Sequence, residues 1–589
     1  AKVRGIAKLT KTGTTAGTFA YMSPEQFQKM DVDHRSDIWS FGVVLFEMLT
    51  GRLPFQGEYE ASVTYSVVNE EPVSVSSVRE DTPQNLEDII TKCLEKDPLM
   101  RYQSMPEILE ELTQPQSGTL YKKRKKSIIV LPFDDMSPGK DNEYFSNGLT
   151  EEIITDLSHI SDLLVISKSS AMTFKGTRKK IREIAKEVNV QYVLEGSVRK
   201  AGNNLRITAQ LIDAKKDIHL WAEKFHGSME NIFEIQEKVS QEVVSNLQLK
   251  LGSDEKQKIK SRPHQDMRAT ECWFRAKQEV HKYTEESFER AISILEDGLN
   301  IVGENMLLYW GLGYINWFYV NMGIRLEEKY LNKAEEYVQK IFALDPESFY
   351  GYQLNGLIAY KRGEVKKSII ETQRALEIEP NNPEALDHLI WMYAEVGKTE
   401  KSPALIDRIL SVDPLTSHNH WAKGLTLLVE GKLDESLAPF RKAYELSPQI
   451  VVWQWFYSYI LLMANRSDEA ELFIQQIVEK KSEPLFTNLT LFKKYSFLGD
   501  SEKALQYVTD DIRLLSEWDD IIALYLAEGY ALLNLKKEAM YWLEVAIARG
   551  CINYPYLNTY NPFFEKIRNE ERFKKLMERV KHEWENFEV

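Results

Sequence analysis

Pro346, Pro380, Pro414 and Pro448 stand 34 residues apart. The same step carries a row of small residues, Ala334, Ser368, Ser402, Ser436, Ala470 and Ala504, and a row of turn residues, Gly363, Gly397, Gly431, Asn465 and Gly499. Self-similarity at such a period marks a stack of identical supersecondary units. The residue types say what the unit is. A Gly or Asn closes the first helix of a pair, where a left-handed backbone costs least. The small residue lets two helices approach closely, and the Pro ends the second helix because it cannot continue one. Gly356, Gly424, Ala375 and Ala443 fit further small positions. One such pair cannot bury its apolar face alone, so pairs stack into a solenoid. The pattern occupies residues 268–550 and accommodates seven or eight pairs, the first near Thr270 to Asn300, with an insertion at Met322 to Asn332.

A helical pair of this length is similar to the tetratricopeptide repeat, which implies protein or peptide ligands on the solenoid. Trp391, Trp421, Trp453 and Trp455 fall at helical spacing and read as core more than as a groove lining. Asn305–Ile324 and Leu446–Asn465 lack Asp, Glu, Lys and Arg over a membrane-spanning length. They also contain Gly311, Gly313 and Pro448 and keep the repeat register, so they read as buried repeat helices, with no membrane span. Residues 551–589 read as a C-terminal cap, amphipathic from Asn561 to Val580 with a charged tail.

The repeats fill half of a 589-residue chain, which leaves room for further domains. With 43% hydrophobic and 28% charged residues the composition excludes bulk disorder. A net charge of −15 argues against a nucleic-acid partner, which calls for a basic surface. Cys93, Cys272 and Cys551 are too far apart for a disulfide framework or a metal-binding spacing, and they predict a reducing, cytoplasmic setting.

At the N-terminal end, Gly17-Thr18-Phe19-Ala20-Tyr21-Met22-Ser23-Pro24-Glu25 precedes Asp37-Ile38-Trp39-Ser40-Phe41-Gly42. Val43 to Leu49 is an apolar helical run stopped by Gly51 and Pro54, and Asp88–Leu94 and Ile108–Leu112 suggest further short helices. Residues 1–113 resemble the activation segment and C-lobe of a bacterial eukaryotic-like Ser/Thr protein kinase. The resemblance implies a Glu25–Arg101 ion pair at the base of the lobe and Asp37 bracing the catalytic loop. It also places Thr18 in the loop that receives a Ser or Thr substrate. Thr14 and Thr15, in a run with Thr10 and Thr12, are candidate phosphosites, since a phosphate adds charge that can order the segment against an Arg. His34-Arg35-Ser36-Asp37 imitates a catalytic loop, but it follows the activation segment and lacks the Lys and Asn that should come after its Asp. Val3-Arg4-Gly5 stands where the family has Asp-Phe-Gly, so no carboxylate is there to hold magnesium. ATP and Mg are implied for the complete kinase, while for this chain the expectation is no catalytic residue, no metal ligand and no phosphoryl transfer. With Ala1 in first place, the chain reads as the end of a longer protein.

Pro115 to Thr119 is turn-rich and Lys122-Lys123-Arg124-Lys125-Lys126 is basic, so residues 114–126 read as a solvated linker. Beyond it the pattern alternates between strand and helix. Ser127–Phe133 and Leu163–Ile166 are buried-strand signals, and Glu143–Ile160 and Ile181–Val188 are helical. From Tyr192 the period becomes two, turns at Ala201-Gly202-Asn203-Asn204 and continues through Leu205, Ile207, Ala209 and Leu211, as in a hairpin. His219–Phe225 adds a third strand and Asn231–Leu251 a closing helix. The order predicts a mixed sheet with helices. Ile129–Phe133, Tyr144–Glu152, Tyr192–Arg199, Ala209–Asp213 and His219–Glu223 give residues 127–251 a resemblance to the TolB amino-terminal-like domain family. No catalytic role attaches to that pattern, and Glu151, Glu152, Glu195 and His219 read as fold and surface residues.

The expected protein is therefore multidomain: a helical kinase C-lobe, an α/β mixed-sheet domain and an all-α tetratricopeptide solenoid. The expected function is the C-terminal part of a signalling Ser/Thr kinase with sensing or recruiting modules. The alternative is a non-enzymatic scaffold with a relic kinase lobe. The surviving Thr18, Glu25, Asp37 and Arg101 favour the former.

Overall fold

A computed structural model describes residues 20–28, 32–55, 59–70, 72–79, 82, 84–113, 126–137, 143–202, 204–228, 232–249, 252, 267–280, 282, 284–480 and 484–588. The chain divides into two compact units, residues 1–124 and 125–589.

The described part of the first unit is helical: Pro24–Phe27 (α1), Arg35–Thr50 (α2), Glu60–Asn69 (α3), Val75–Val78 (α4), Gln84–Cys93 (α5) and Met105–Thr113 (α6). Gly51, in the left-handed region at φ +67°, ends α2. Trp39, Val43 and Phe46 on α2 pack with Phe55, Val67 and Ile90, and the Trp39 ring stacks on Phe55 at 5.5 Å. The short helices α1, α3 and α4 carry too little apolar periodicity to have been expected from sequence.

In the second unit, β1 (Lys126–Val130) lies between β3 (Leu163–Val165) and β4 (Tyr192–Ala201), parallel to both. The sheet continues antiparallel through β5 (Asn204–Asp213) to β6 (Ile218–Ser228), and the two-residue β2 (Asp134–Asp135) pairs with β4. Ile128, Ile129 and Val130 are all fully buried, as a central strand covered on both faces requires. On β5, Leu205, Ile207, Ala209 and Leu211 are buried in alternation. Helices α7 (Glu143–Ser158), α8 (Lys168–Met172), α9 (Ile181–Glu187) and α10 (Ile232–Asn246) accompany the sheet. Lys126, assigned above to the linker, instead begins β1, because its backbone joins the β3 ladder and its amine donates to the Leu247 carbonyl. Sequence periodicity missed β2 and α8, which are too short to show a period.

Eight helical pairs follow. They are Met267–Val280 with Glu285–Val302 (α11, α12), Met306–Asn321 with Glu328–Leu344 (α13, α14), Phe349–Lys361 with Val365–Ile378 (α15, α16), and Pro383–Val396 with Ser402–Val412 (α17, α18). Next come Ser417–Val429 with Leu433–Leu446 (α19, α20), Val451–Met463 with Ser467–Lys480 (α21, α22), and Pro484–Phe497 with Ser501–Leu505 (α23, α24). After the short Asp510–Ser516 (α25), Asp520–Leu532 with Lys536–Ala548 (α26, α27) completes the stack, and Glu571–Glu585 (α28) ends the chain. Ala334, Ser368, Ser402, Ser436, Ala470 and Ala504 are all 0% exposed, and the turn residues from Gly363 to Gly499 all have φ between +57° and +80°. The last pair keeps the pattern one residue late, at Asn534 (φ +59°) and buried Ala539. Residues 322–327 form the lengthened turn of the second pair. Among the described residues no helix is long and apolar enough to cross a membrane, and the uncharged stretches form α13 and α21.

The α/β domain is docked on the repeats. A Cβ at Gly148 of α7 would lie 1.8 Å from the Phe274 ring of α11. Neither helix axis can yield cheaply in a packed interior. Gly148→Ala should therefore cost about 1–3 kcal/mol of docking energy. Hydrogen exchange should rise across α7 and α11 while the β4–β5 hairpin stays protected.

Candidate functional site

Among the described residues, three places bring chemistry-bearing side chains together. The first is the base of the helical lobe. Ser23-Pro24-Glu25 turns into α1 and leaves Glu25 5% exposed. Arg101 meets it as a two-pronged fork, Nη1 to Oε1 and Nη2 to Oε2, both at 2.8 Å. The remaining N–H groups donate to the carbonyls of Glu95 (2.7 Å), Arg35 (3.1 Å) and Lys96 (3.2 Å), so all five guanidinium donors are used. Ser36 adds a 2.6 Å hydrogen bond to Oε1. Burial pushes the Glu25 carboxyl up, but Arg101 and Ser36 more than offset this and hold its pKa at about 2. Beside it, Gly42 lets α2 touch α5, since a Cβ there would sit 2.6 Å from Cys93 Cβ.

Asp37, on the first turn of α2, is exposed. His34 is bound to the Gln103 carbonyl at 2.8 Å, and Arg35 is tied to Asp33, so the imitation loop is a helix start. Thr14, Thr15, Thr18, the Val3–Gly5 stretch and Lys122–Lys125 lie outside the described residues. Among the described residues no group of three or more His, Cys, Asp or Glu is placed to hold a metal ion.

The second place is the joint between the α/β domain and the repeats. Ser167 caps α8 and, with Ser170, donates to the carboxylate of Asp413, which is 2% exposed at the end of α18. The Ser167 amide donates to the Val412 carbonyl at 2.6 Å and the Leu415 amide to Ser170 Oγ at 2.9 Å. Nearby, Glu151 of α7 pairs with Lys168 and, at 3.0 Å, with Lys277 of α11. Burial opposes the charge on Glu151, but the two lysines more than offset it, and its pKa falls to about 2. Glu195 accepts from Gln210, and His219 is exposed on β6. These residues join elements; they do not converge on a cleft.

The third place is the inner face of the solenoid, which its own C-terminal part covers. Tyr360 donates to Asp520 at 2.6 Å and Lys361 pairs with Asp519 at 3.0 Å, closing the third repeat on the eighth. The turn glycines Gly363, Gly397 and Gly431 meet Arg549, Asn553 and Tyr560 in succession. The Ile552 amide donates to the Glu395 carbonyl, Asn553 to the Ala394 carbonyl, and Trp584 Nε1 to the Gly397 carbonyl. Deep in this closure Lys493 and Glu528 are both 0% exposed and paired at 2.8 Å. Glu528 also accepts from Tyr459 (2.9 Å) and Asn561 (2.6 Å), and Lys493 donates to the Tyr525 carbonyl at 2.8 Å. Burial pulls the Lys493 pKa down to about 8 against the pull of Glu528. Trp421, Trp453 and Trp455 are buried and Trp391 is half-buried, so these rings are core.

Sequence periodicity did not expose Asp413, Lys493, Asp520 or Glu528. The usable signal was a lone charge on a helix face that is otherwise apolar, as with Lys493 next to Phe492 and Glu528 between Tyr525 and Leu532.

Residues 3–112 match the protein kinase domain, residues 124–243 the second domain of HilA/YgeH-like transcriptional regulators, and residues 318–483 a tetratricopeptide repeat family. A Rhizobium meliloti protein named adenylate cyclase 3 is 42% identical over 177 residues, 30% of this chain and 30% of that protein. A Clostridium acetobutylicum protein named as a serine/threonine-protein kinase is 32% identical over 147 residues, 25% of this chain and 22% of its own length. Serine/threonine-protein kinase PknB of Mycobacterium tuberculosis is 40% identical over 110 residues, 19% of this chain and 18% of the kinase. The chain thus matches less than a third of the length of each of these relatives. A tetratricopeptide repeat protein of Parabacteroides merdae aligns at 14% identity and TM-score 0.32, over 48% of this chain and 100% of that one. The chain thus joins a segment that matches the protein kinase domain, with bacterial Ser/Thr kinases among its relatives, to an array of tetratricopeptide repeats.

Proposed function

We propose that the chain is the C-terminal part of a bacterial signalling Ser/Thr kinase, acting in the cytoplasm, and that by itself it does not transfer phosphate. The α/β domain, with its TolB-like motifs, and the repeats would sense a signal or recruit protein partners for it. The observation that carries this reading is the Glu25–Arg101 fork with every donor used, the brace on which a kinase lobe is built. The pair stands intact where the kinase resemblance requires it, at the base of the lobe.

ATP and Mg belong to the complete kinase and do not fit the residues at hand. Phosphoryl transfer rests on a metal, its carboxylate and the groups that position the phosphates. Val3 stands where that carboxylate is needed. Incubating the 589-residue chain with labelled ATP, magnesium and a generic Ser/Thr protein substrate should give incorporation no higher than a blank without protein. Magnesium-dependent labelling of the substrate would overturn the inactive reading.

A further inference from the structure

A cavity of about 70 Å³ lies where α17, α19, α21, α26 and the terminal segment meet. That is room for several waters or one small organic molecule. Its walls are mostly apolar and include five aromatic rings, those of Trp421, Phe456, Tyr459, Tyr525 and Tyr556. At one end Glu395 and Asp520 face each other, carboxyl to carboxyl. Glu395 accepts from Trp391 Nε1 (3.0 Å) and Asp520 from Tyr360 (2.6 Å), both neutral donors, and Glu395 also hydrogen-bonds Asp520 and Cys551. The nearest amine, Lys361, is already paired with Asp519. The other titratable groups lining the cavity are Cys551, Tyr459, Tyr525 and Tyr556, none of them cationic. Burial pushes both carboxyls up, Asp520 to about 6.

A second observation is independent of the acids. Trp421 is 3% exposed, and its indole N–H has no hydrogen-bond partner. A buried donor left unmade costs about 1–3 kcal/mol and calls for an occupant that supplies an acceptor. Two carboxyls whose nearest amine, Lys361, is already engaged by Asp519 favour a cation, and rings on the surrounding walls favour an organic one, whose charge they attract through their faces.

We infer that this cavity is a binding site for a small organic ammonium ion carrying an oxygen acceptor, such as an amino alcohol. The ammonium sits between the aromatic rings and the Glu395 and Asp520 carboxyls, and the oxygen accepts from Trp421. Because Glu395 belongs to the fourth pair, Asp520 to the eighth and Cys551 to the terminal segment, the ligand holds the closure of the solenoid together. The inference goes beyond the kinase reading and stands without it.

Titration calorimetry on the full chain with choline and with ethanolamine tests it, with 3,3-dimethylbutan-1-ol as the uncharged counterpart of choline. Saturable binding of at least one amine is expected, at least tenfold tighter than the alcohol. Glu395→Gln should weaken it tenfold or more. Trp421→Phe keeps the wall and removes only the donor, so it should weaken binding several-fold even if the Glu395 variant misfolds. No saturable heat from either amine, equal binding of the alcohol, or an unchanged Trp421→Phe affinity would overturn the site and leave a cavity filled by water.

Discussion

Glu528→Ala should destabilise the repeat unit by about 3–5 kcal/mol, the cost of leaving a buried charge without its partner. Lys493 would then sit 0% exposed among Tyr459, Tyr525 and Phe563 with only the Tyr525 carbonyl to accept from it. Tyr459 and Asn561 would lose their acceptor at the same time, which loosens the terminal segment where Asn561 anchors it. Replacing both partners, Lys493→Met with Glu528→Leu, should recover most of the loss, because the desolvation of two charges is removed along with their attraction. Urea unfolding of the unaltered chain and the two variants, followed by tryptophan fluorescence, reads the difference. A single variant as stable as the double one would mean that Lys493 reaches water.

Arg101→Ala should have an effect of similar size, about 3–5 kcal/mol, confined to the first unit. It strands the Glu25 carboxylate and leaves the Glu95, Arg35 and Lys96 carbonyls without the donor that ties them together. Hydrogen exchange over α2 and α5 should rise sharply while the repeats stay unchanged. Arg101→Lys should rescue little, since a point-like ammonium cannot span both Glu25 oxygens. The same pair sets an acid limit. The folded pKa of Glu25, about 2, lies below the ordinary carboxylate value of 4.5. The stabilisation is thus fully present above pH 4.5 and is lost as pH falls towards 2. Acid unfolding of the first unit should start within that window, and in Glu25→Gln, which is less stable at neutral pH, this pair's contribution to the pH dependence should vanish.

The parts legible in the sequence are those with a period or a motif. A 34-residue step located the turns, the small contacts and the ends of the second helices, because each repeat solves the same packing problem with the same residue types. The hairpin showed itself by alternation, and Glu25 with Arg101 through a resemblance covering the first 113 residues. What stayed hidden is contact between units far apart in the chain. Tyr360 and Asp520 are 160 residues apart, and Ser170 and Asp413 243. No local pattern states that the eighth pair will return to the third or that α8 will dock on Asp413. For the same reason no local pattern states that the terminal cap runs along the turns of the third, fourth and fifth pairs.

That closure decides whether the inner face is open to a peptide or already filled by the chain. Native-state hydrogen exchange on the full chain measures it directly. Residues 552–587 should be protected to the same extent as α17, with the Ile552 amide, bound to the Glu395 carbonyl, among the slow ones. A terminal segment that exchanges like an unstructured tail while α15 to α22 stay protected would contradict the account.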